Sequence, residues 1–91
     1  MAEAPTSTTV RVTVRFFAAA RAAAGAESEE LTFRSGTTVA DVVAELSGRS
    51  DELARVLARC SYLCDGVAVR DRALALMNAQ TLDVLPPFAG G

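Results

Sequence analysis

The sequence ends in Leu85-Pro86-Pro87-Phe88-Ala89-Gly90-Gly91, and this run holds its most distinctive chemistry. Glycine has no Cβ, so Gly90-Gly91 can thread a channel too narrow for any side chain, with a carbonyl open to attack from either face. Pro86 and Pro87 lack N–H donors and have a restricted φ, so they stop a strand and hold the residues after them extended. Fully extended, Pro86 to Gly91 reach roughly 20 Å. Phe88 comes after the point where the chain leaves its sheet, and suits a pocket on a partner better than its own core. A carboxylate on such an end has a pKa of about 3.5, so at neutral pH it is ionised and a poor electrophile. It needs a better leaving group before it can transfer anything. Two glycines alone are common at frayed ends. A strand that runs straight through Pro-Pro into Gly-Gly is a tighter pattern.

Other chemistry is thin. The chain has no His, which excludes Ser-His-Asp and Cys-His catalysis within it and any His-ligated metal. It has no Lys, so no side-chain amine can be acylated. Cys60 and Cys64 are too few for an iron–sulfur cluster or a zinc site. They read as half-buried reduced thiols on one side of an extended segment, too far apart for an easy disulfide. No metal or bound cofactor is expected. The formal charge of −2 gives no basic field for nucleic acid. No stretch approaches the ~20 apolar residues of a membrane span. The first residues, Met1 to Pro5, have neither the basic region nor the apolar core of a secretory leader. A cytoplasmic location, with reduced cysteines, is the expectation.

The scaffold that must position the tail is small. Ninety-one residues make one domain. Half the chain is hydrophobic, yet 18 residues are Ala, leaving ten Val, nine Leu and four Phe, with no Ile or Trp, as core material. A domain of this size removes roughly 60–65 % of its unfolded surface from water, so a buried active site has little room. Val10, Val12, Val14 and Phe16 alternate with Arg11, Thr13 and Arg15, which predicts a half-buried strand. Ala18 to Ala24 predicts a helical turn ending at Gly25. Glu29 to Arg34 is a second strand, with Leu31 and Phe33 inward. Thr38 caps a helix with Asp41 three residues on; Val39, Val42, Val43 and Leu46 form its buried stripe, and Gly48 ends it. Ser50 caps a short second helix with Leu53, Val56 and Leu57 inward.

Ser61 to Cys64 and Val67 to Arg70 form a hairpin about Asp65-Gly66, a pair suited to a type I′ turn. The 71–79 segment is ambiguous. Thr81 to Leu85 is a final strand. The whole is α+β, with helices on one face of a mixed sheet. A lead-in covers residues 1–8, a folded domain 9–85, and an extended tail 86–91. Arg11, Arg15 and Arg34 face outward with Glu30, as a solvated face or a contact to an acidic partner. Tyr62, Leu63, Val84, Leu85 and Phe88 are candidates for an apolar surface beside the tail, with Val84 the one most suited to the core.

Three segments carry a family resemblance. These are Val14-Arg15-Phe16-Phe17-Ala18 with the Ala/Arg-rich turn to Gly25, Thr38-Val39-Ala40-Asp41-Val42-Val43, and the closing Leu85-Pro86-Pro87-Phe88-Ala89-Gly90-Gly91. The chain resembles the small subunit of molybdopterin synthase, a MoaD/ThiS-type ubiquitin-like sulfur carrier, from Val10 to Gly91. The resemblance implies a β-grasp fold. It departs from the family before the last strand, where many members have Gly-Asp and this chain has Ala79-Gln80.

The resemblance also implies a mechanism. Gly91, preceded by Gly90, would be adenylated by an ATP-dependent, ubiquitin-activating-type adenylyltransferase. A sulfurtransferase would supply sulfur to convert it to a thiocarboxylate. That sulfur would pass to cyclic pyranopterin monophosphate in a large synthase subunit, within a heterotetramer, building the molybdopterin dithiolene with two carriers consumed per product. Leu85, Pro86, Pro87, Phe88 and Ala89 would contact the partner. ATP is then the activating enzyme's substrate and not a ligand of this chain. The same fold also serves thiamine and cysteine synthesis and ubiquitin-like protein modification. The residues leave these alternatives open, together with a plain interaction module whose Gly-Gly is incidental.

Overall fold

The computed structural model describes residues 8–87. Eight elements follow the expected order: β1 Thr9–Phe16, α1 Ala18–Ala24, β2 Ser28–Arg34, α2 Val39–Ser47, α3 Asp51–Leu57, β3 Ser61–Cys64, β4 Val67–Ala68 and β5 Gln80–Leu85. The strands form one mixed sheet in the order β2-β1-β5-β3-β4. β1 runs parallel to β5 and antiparallel to β2, and β3 is antiparallel to both β5 and β4. The first and last strands therefore lie side by side at the centre. This is the ubiquitin-like β-grasp arrangement, with its core between the sheet's inner face and the helices. Val12, Val14, Leu82 and Val84 from the central strands and Val42, Leu46, Leu53 and Leu57 from α2 and α3 are all essentially inaccessible.

The helix ends are built as their residue types require. Thr38 Oγ1 accepts the Asp41 backbone N–H (3.1 Å) while Asp41 Oδ2 accepts the Thr38 N–H (3.0 Å), a reciprocal cap. Two further first-turn donors of α2, on Val39 and Ala40, bond the carbonyls of Leu74 (3.0 Å) and Arg72 (2.9 Å). The 71–79 segment, which local pattern leaves undecided, is thus ordered by long-range bonds to a helix start. Leu76 seals it: its N–H donates to the Thr37 carbonyl at 2.9 Å, and its side chain is buried. Ser50 Oγ accepts the Leu53 N–H and caps α3.

The hairpin turn is as expected, with Asp65 and Gly66 both at positive φ (49° and 83°). Its second strand is shorter than the predicted 67–70. Asp71 Oδ1 accepts the Ala73 N–H, an Asx turn that swings the chain away towards α2.

Ala79 stands where the resembling family has glycine, and its φ is 70°. It is held there by donating its N–H to the Arg11 carbonyl at 2.8 Å. A left-handed conformation costs a residue with a Cβ about 1–2 kcal/mol, partly offset by the greater unfolded-state freedom of glycine. Ala79→Gly is expected to stabilise the fold by about 0.5–1 kcal/mol. An upward shift of the urea midpoint at constant slope checks it; a fall would show that the turn carries no strain.

Three expectations about side chains are corrected. Tyr62 belongs to the core rather than to an exposed patch, whereas Val84 is in the core as its sequence position suggests. Both face inward from β3 and β5, and the Tyr62 hydroxyl donates to the Leu57 carbonyl at 3.0 Å. Cys60 and Cys64 are buried, not half-buried, because they share the inward parity of Tyr62. Both thiols are free, and burial pushes each up from its ordinary pKa.

Burial, with a smaller contribution from Cys60, pushes the Tyr62 phenol up to about 12, from 10.0. The fold therefore favours the neutral phenol. The stability this contributes is complete below pH 10, falls as pH rises towards about 12, and is gone above it. Tyr62 is the sole tyrosine, so the phenolate absorbance reports it alone. Its titration is expected in the folded protein well above that of the urea-unfolded chain, with stability declining over the same interval.

Candidate functional site

β5 carries the tail. Its alternation sends Leu82 and Val84 into the core and Thr81, Asp83 and Leu85 to the outer face of the sheet. On one side Ser61 pairs with Leu85. On the other, the Phe17 N–H donates to the Val84 carbonyl at 3.2 Å. Pro86 then ends the strand, since it offers no N–H to a neighbour. Leu85 and Pro86 are half-buried and Pro87 is exposed. Of the predicted site residues, the structure therefore places Leu85, Pro86 and Pro87 together at the end of the central strand. Phe88, Ala89, Gly90 and Gly91 lie outside the described residues, as do residues 1–7 of the predicted lead-in.

The outer face at this strand end holds one polar feature that sequence reasoning missed. Asp83 is only 7 % exposed although it faces outward. Arg15 on β1 covers it through two parallel bonds, Nε to Oδ1 at 2.7 Å and an NH2 nitrogen to Oδ2 at 2.9 Å. The hydrogen bonds to Asp83, then its charge, raise the Arg15 pKa above its ordinary value, so this guanidinium stays charged at any working pH. It also lies over the Phe17 ring, 5.4 Å from its centre. Leu63 pairs directly with Asp83 from β3 and is half-buried.

The result is a surface of Phe17, Leu63 and Leu85 set around a locked ion pair, beside the point where the tail departs. Asp83 does interrupt the apolar run Leu82-Asp83-Val84, which is a signal in the sequence. Its partner emerges only from β1 and β5 being parallel neighbours. Arg11 on the same face reaches Glu30 of β2 at a loose 4.0 Å.

Among the described residues no group of three or more His, Cys, Asp or Glu side chains is placed to hold a metal. No described helix is long and apolar enough to cross a membrane. The geometry provides a packed central strand that ends at Pro86 beside a partly exposed apolar face.

The profile of the ThiS family matches residues 14–91. No curated protein matches the chain in sequence. Among solved structures, the Haloferax volcanii HVO 2177 protein superposes with a TM-score of 0.81 at 29 % identity, over 99 % of this chain and 94 % of that one. A Pyrococcus furiosus protein assigned as molybdopterin converting factor, subunit 1, does so with a TM-score of 0.78 at 25 % identity, over 87 % and 99 %. Two others share the fold below 25 % identity. One is SAMP1 from Haloferax volcanii (TM-score 0.76, 24 % identity, 89 % and 99 % covered). The other is in a complex of subunits 1 and 2 of the molybdopterin-converting factor from Helicobacter pylori (TM-score 0.64, 21 % identity, 90 % and 100 % covered).

Proposed function

The chain belongs to the ThiS family, and from that premise we propose that it is a sulfur carrier acting through Gly91, as the small subunit of a molybdopterin synthase. The observation that carries this reading is the course of β5. The central strand of the sheet leaves a packed core and enters Pro86-Pro87 directly, and the sequence then continues Phe88-Ala89-Gly90-Gly91. A rigid root and a side-chain-free end are what a carrier needs to place one reactive atom inside another protein's active site.

In the proposed cycle, a Gly91 carboxylate oxygen attacks the α-phosphorus of ATP on an adenylyltransferase and pyrophosphate leaves. A persulfide sulfur on a sulfurtransferase then displaces AMP to form an acyl disulfide, and attack by a thiol reductant on the carrier-side S–S bond releases the C-terminal thiocarboxylate and leaves the sulfurtransferase in a disulfide with that thiol. The large subunit supplies the bases and substrate contacts; this chain supplies the sulfur and the surface around Leu85, Phe17, Leu63 and the Arg15–Asp83 pair. The Pyrococcus and Helicobacter relatives support the molybdopterin branch and a large-subunit partner. Domain 9–85 is then the scaffold and 86–91 the working tail.

Intact mass after incubation with ATP, adenylyltransferase and a sulfur donor is expected to rise by one oxygen-to-sulfur exchange. The charged chain, added to a molybdopterin synthase large subunit with cyclic pyranopterin monophosphate, is expected to give dithiolene. An unchanged mass rejects the carrier. A charged chain that yields no dithiolene, but supports thiazole formation with a thiazole synthase, moves it to another branch of the family. The likeness to SAMP1 favours one second reading, a protein modifier. Its signature is this chain joined through Gly91 to lysines of other proteins.

A further inference from the structure

On the helical side of the tail's root, a groove of about 700 Å³ is lined by Ala19, Arg55, Val56, Ala58, Arg59, Pro86 and Pro87. Val56 is half-buried and packs on the core, and with the alanines and prolines it makes the groove mostly apolar. Arg55 lies in the last turn of α3 and Arg59 one helical turn further on. Arg11, Arg15, Arg21 and Arg49 are each paired with a carboxylate, and Arg72 lies over the Tyr62 ring. Arg55 and Arg59 make no ion pair among the described residues. Arg34 and Arg70 are likewise unpaired, but neither lines this groove. In a chain of net charge −2, uncompensated positive charge is thus gathered at an apolar cleft that shares a wall with the tail.

We propose that this groove docks an acidic peptide segment with an apolar anchor, contributed by a protein that handles the tail. The anchor lies against Ala19, Val56 and Ala58. Carboxylates on either side of it meet Arg55 and Arg59, whose planar forks suit two-point pairing. Opposite charge also steers the encounter. Because Pro86 and Pro87 form one wall, an occupant sets the direction in which the chain leaves the domain. The meaning of that direction rests on the carrier reading; the binding does not.

The test is an amide NMR titration of the full chain with an acetylated, amidated hexapeptide, Glu-Glu-Leu-Phe-Glu-Glu. Saturable shifts confined to Ala19 and the Arg55 to Arg59 amides are expected. Charge reversal, Arg55→Glu with Arg59→Glu, is expected to weaken binding at least about tenfold, and so is replacing the peptide's Leu-Phe by Ser-Ser. Arg55→Gln with Arg59→Gln gives a milder variant in case reversal disturbs α3, and is expected to weaken binding in the same direction.

Absence of shifts at millimolar peptide overturns the proposal, as do shifts spread over all exposed arginines or unweakened binding to both variant pairs. The same shifts on deleting residues 88–91 would assign the groove to the chain's own tail. The same shifts on concentrating the free protein would assign it to a second copy. Either result also overturns the proposal. No step uses sulfur loading, so this outcome is independent of whether Gly91 carries sulfur.

Discussion

Adding one alanine after Gly91 is expected to lower thiocarboxylate formation more than about a hundredfold while leaving the thermal midpoint unchanged. The extension moves the carboxyl group by about 3.5 Å, one residue of extended chain. Attack on a phosphorus centre tolerates far less; a misplacement of about 1 Å already costs about a hundredfold. The new Cβ also has to pass a channel that the Gly-Gly sequence suits to bare backbone. The root of the tail is unaffected, because Leu85 and its pairing with Ser61 lie six residues earlier. Intact mass and initial rate of pyrophosphate release with an adenylyltransferase measure the first half, and calorimetry the second. An extended chain charged as fast as the original would remove Gly91 from the chemistry. Phe88→Ala tests the neighbouring assignment: it is expected to raise KM for the activating enzyme with little change in kcat, as loss of an anchoring contact does.

Leu82→Ala is expected to destabilise the fold by about 3 kcal/mol, within the range for leucines truncated in close-packed cores. Leu82 is 0 % exposed and lies on the central strand, between Val14 and Cys64 in register. For a domain this size the loss corresponds to a fall of roughly 15 °C in Tm. It is also a large share of the ~5–15 kcal/mol that holds such domains folded. Sulfur charging should then fall only with the folded fraction, since nothing at the tail's end has changed. Charging that collapses at temperatures where circular dichroism still reports a folded variant would show that the β5 core transmits to the tail in some further way.

Much of this architecture is legible in the sequence because its signals are local. Alternation in Val10 to Phe16 sets β1, the Thr38–Asp41 and Ser50 caps set two helix starts, and Asp65-Gly66 sets the hairpin. The features that stay hidden depend on strand order. Arg15 reads as an outward cation on a solvated face or one that meets an acidic partner. Its actual partner, Asp83, is 68 positions away and becomes adjacent only when the first and last strands meet. The loop through Leu76 is similar: its order comes from Thr37, Val39 and Ala40, not from its own pattern. Tyr62 and the two cysteines read as nearer the surface than they are, because a short edge-side strand gives little parity to judge by. At the site, the tail's composition is plain in the sequence, whereas the Phe17–Arg15–Asp83 face needs β1 and β5 in register to appear.

The strand order has a consequence for how the molecule is made. Without β5 the sheet falls into two separate pairs, β1 with β2 and β3 with β4, with nothing to join them. The two pairs cannot unite until Gln80–Leu85 emerges, and such distant pairing is slow. A prematurely terminated or clipped chain would show raw edges on β1 and β3, open to proteolysis and aggregation. The two halves of the sheet are therefore joined only in a molecule translated through to its last strand.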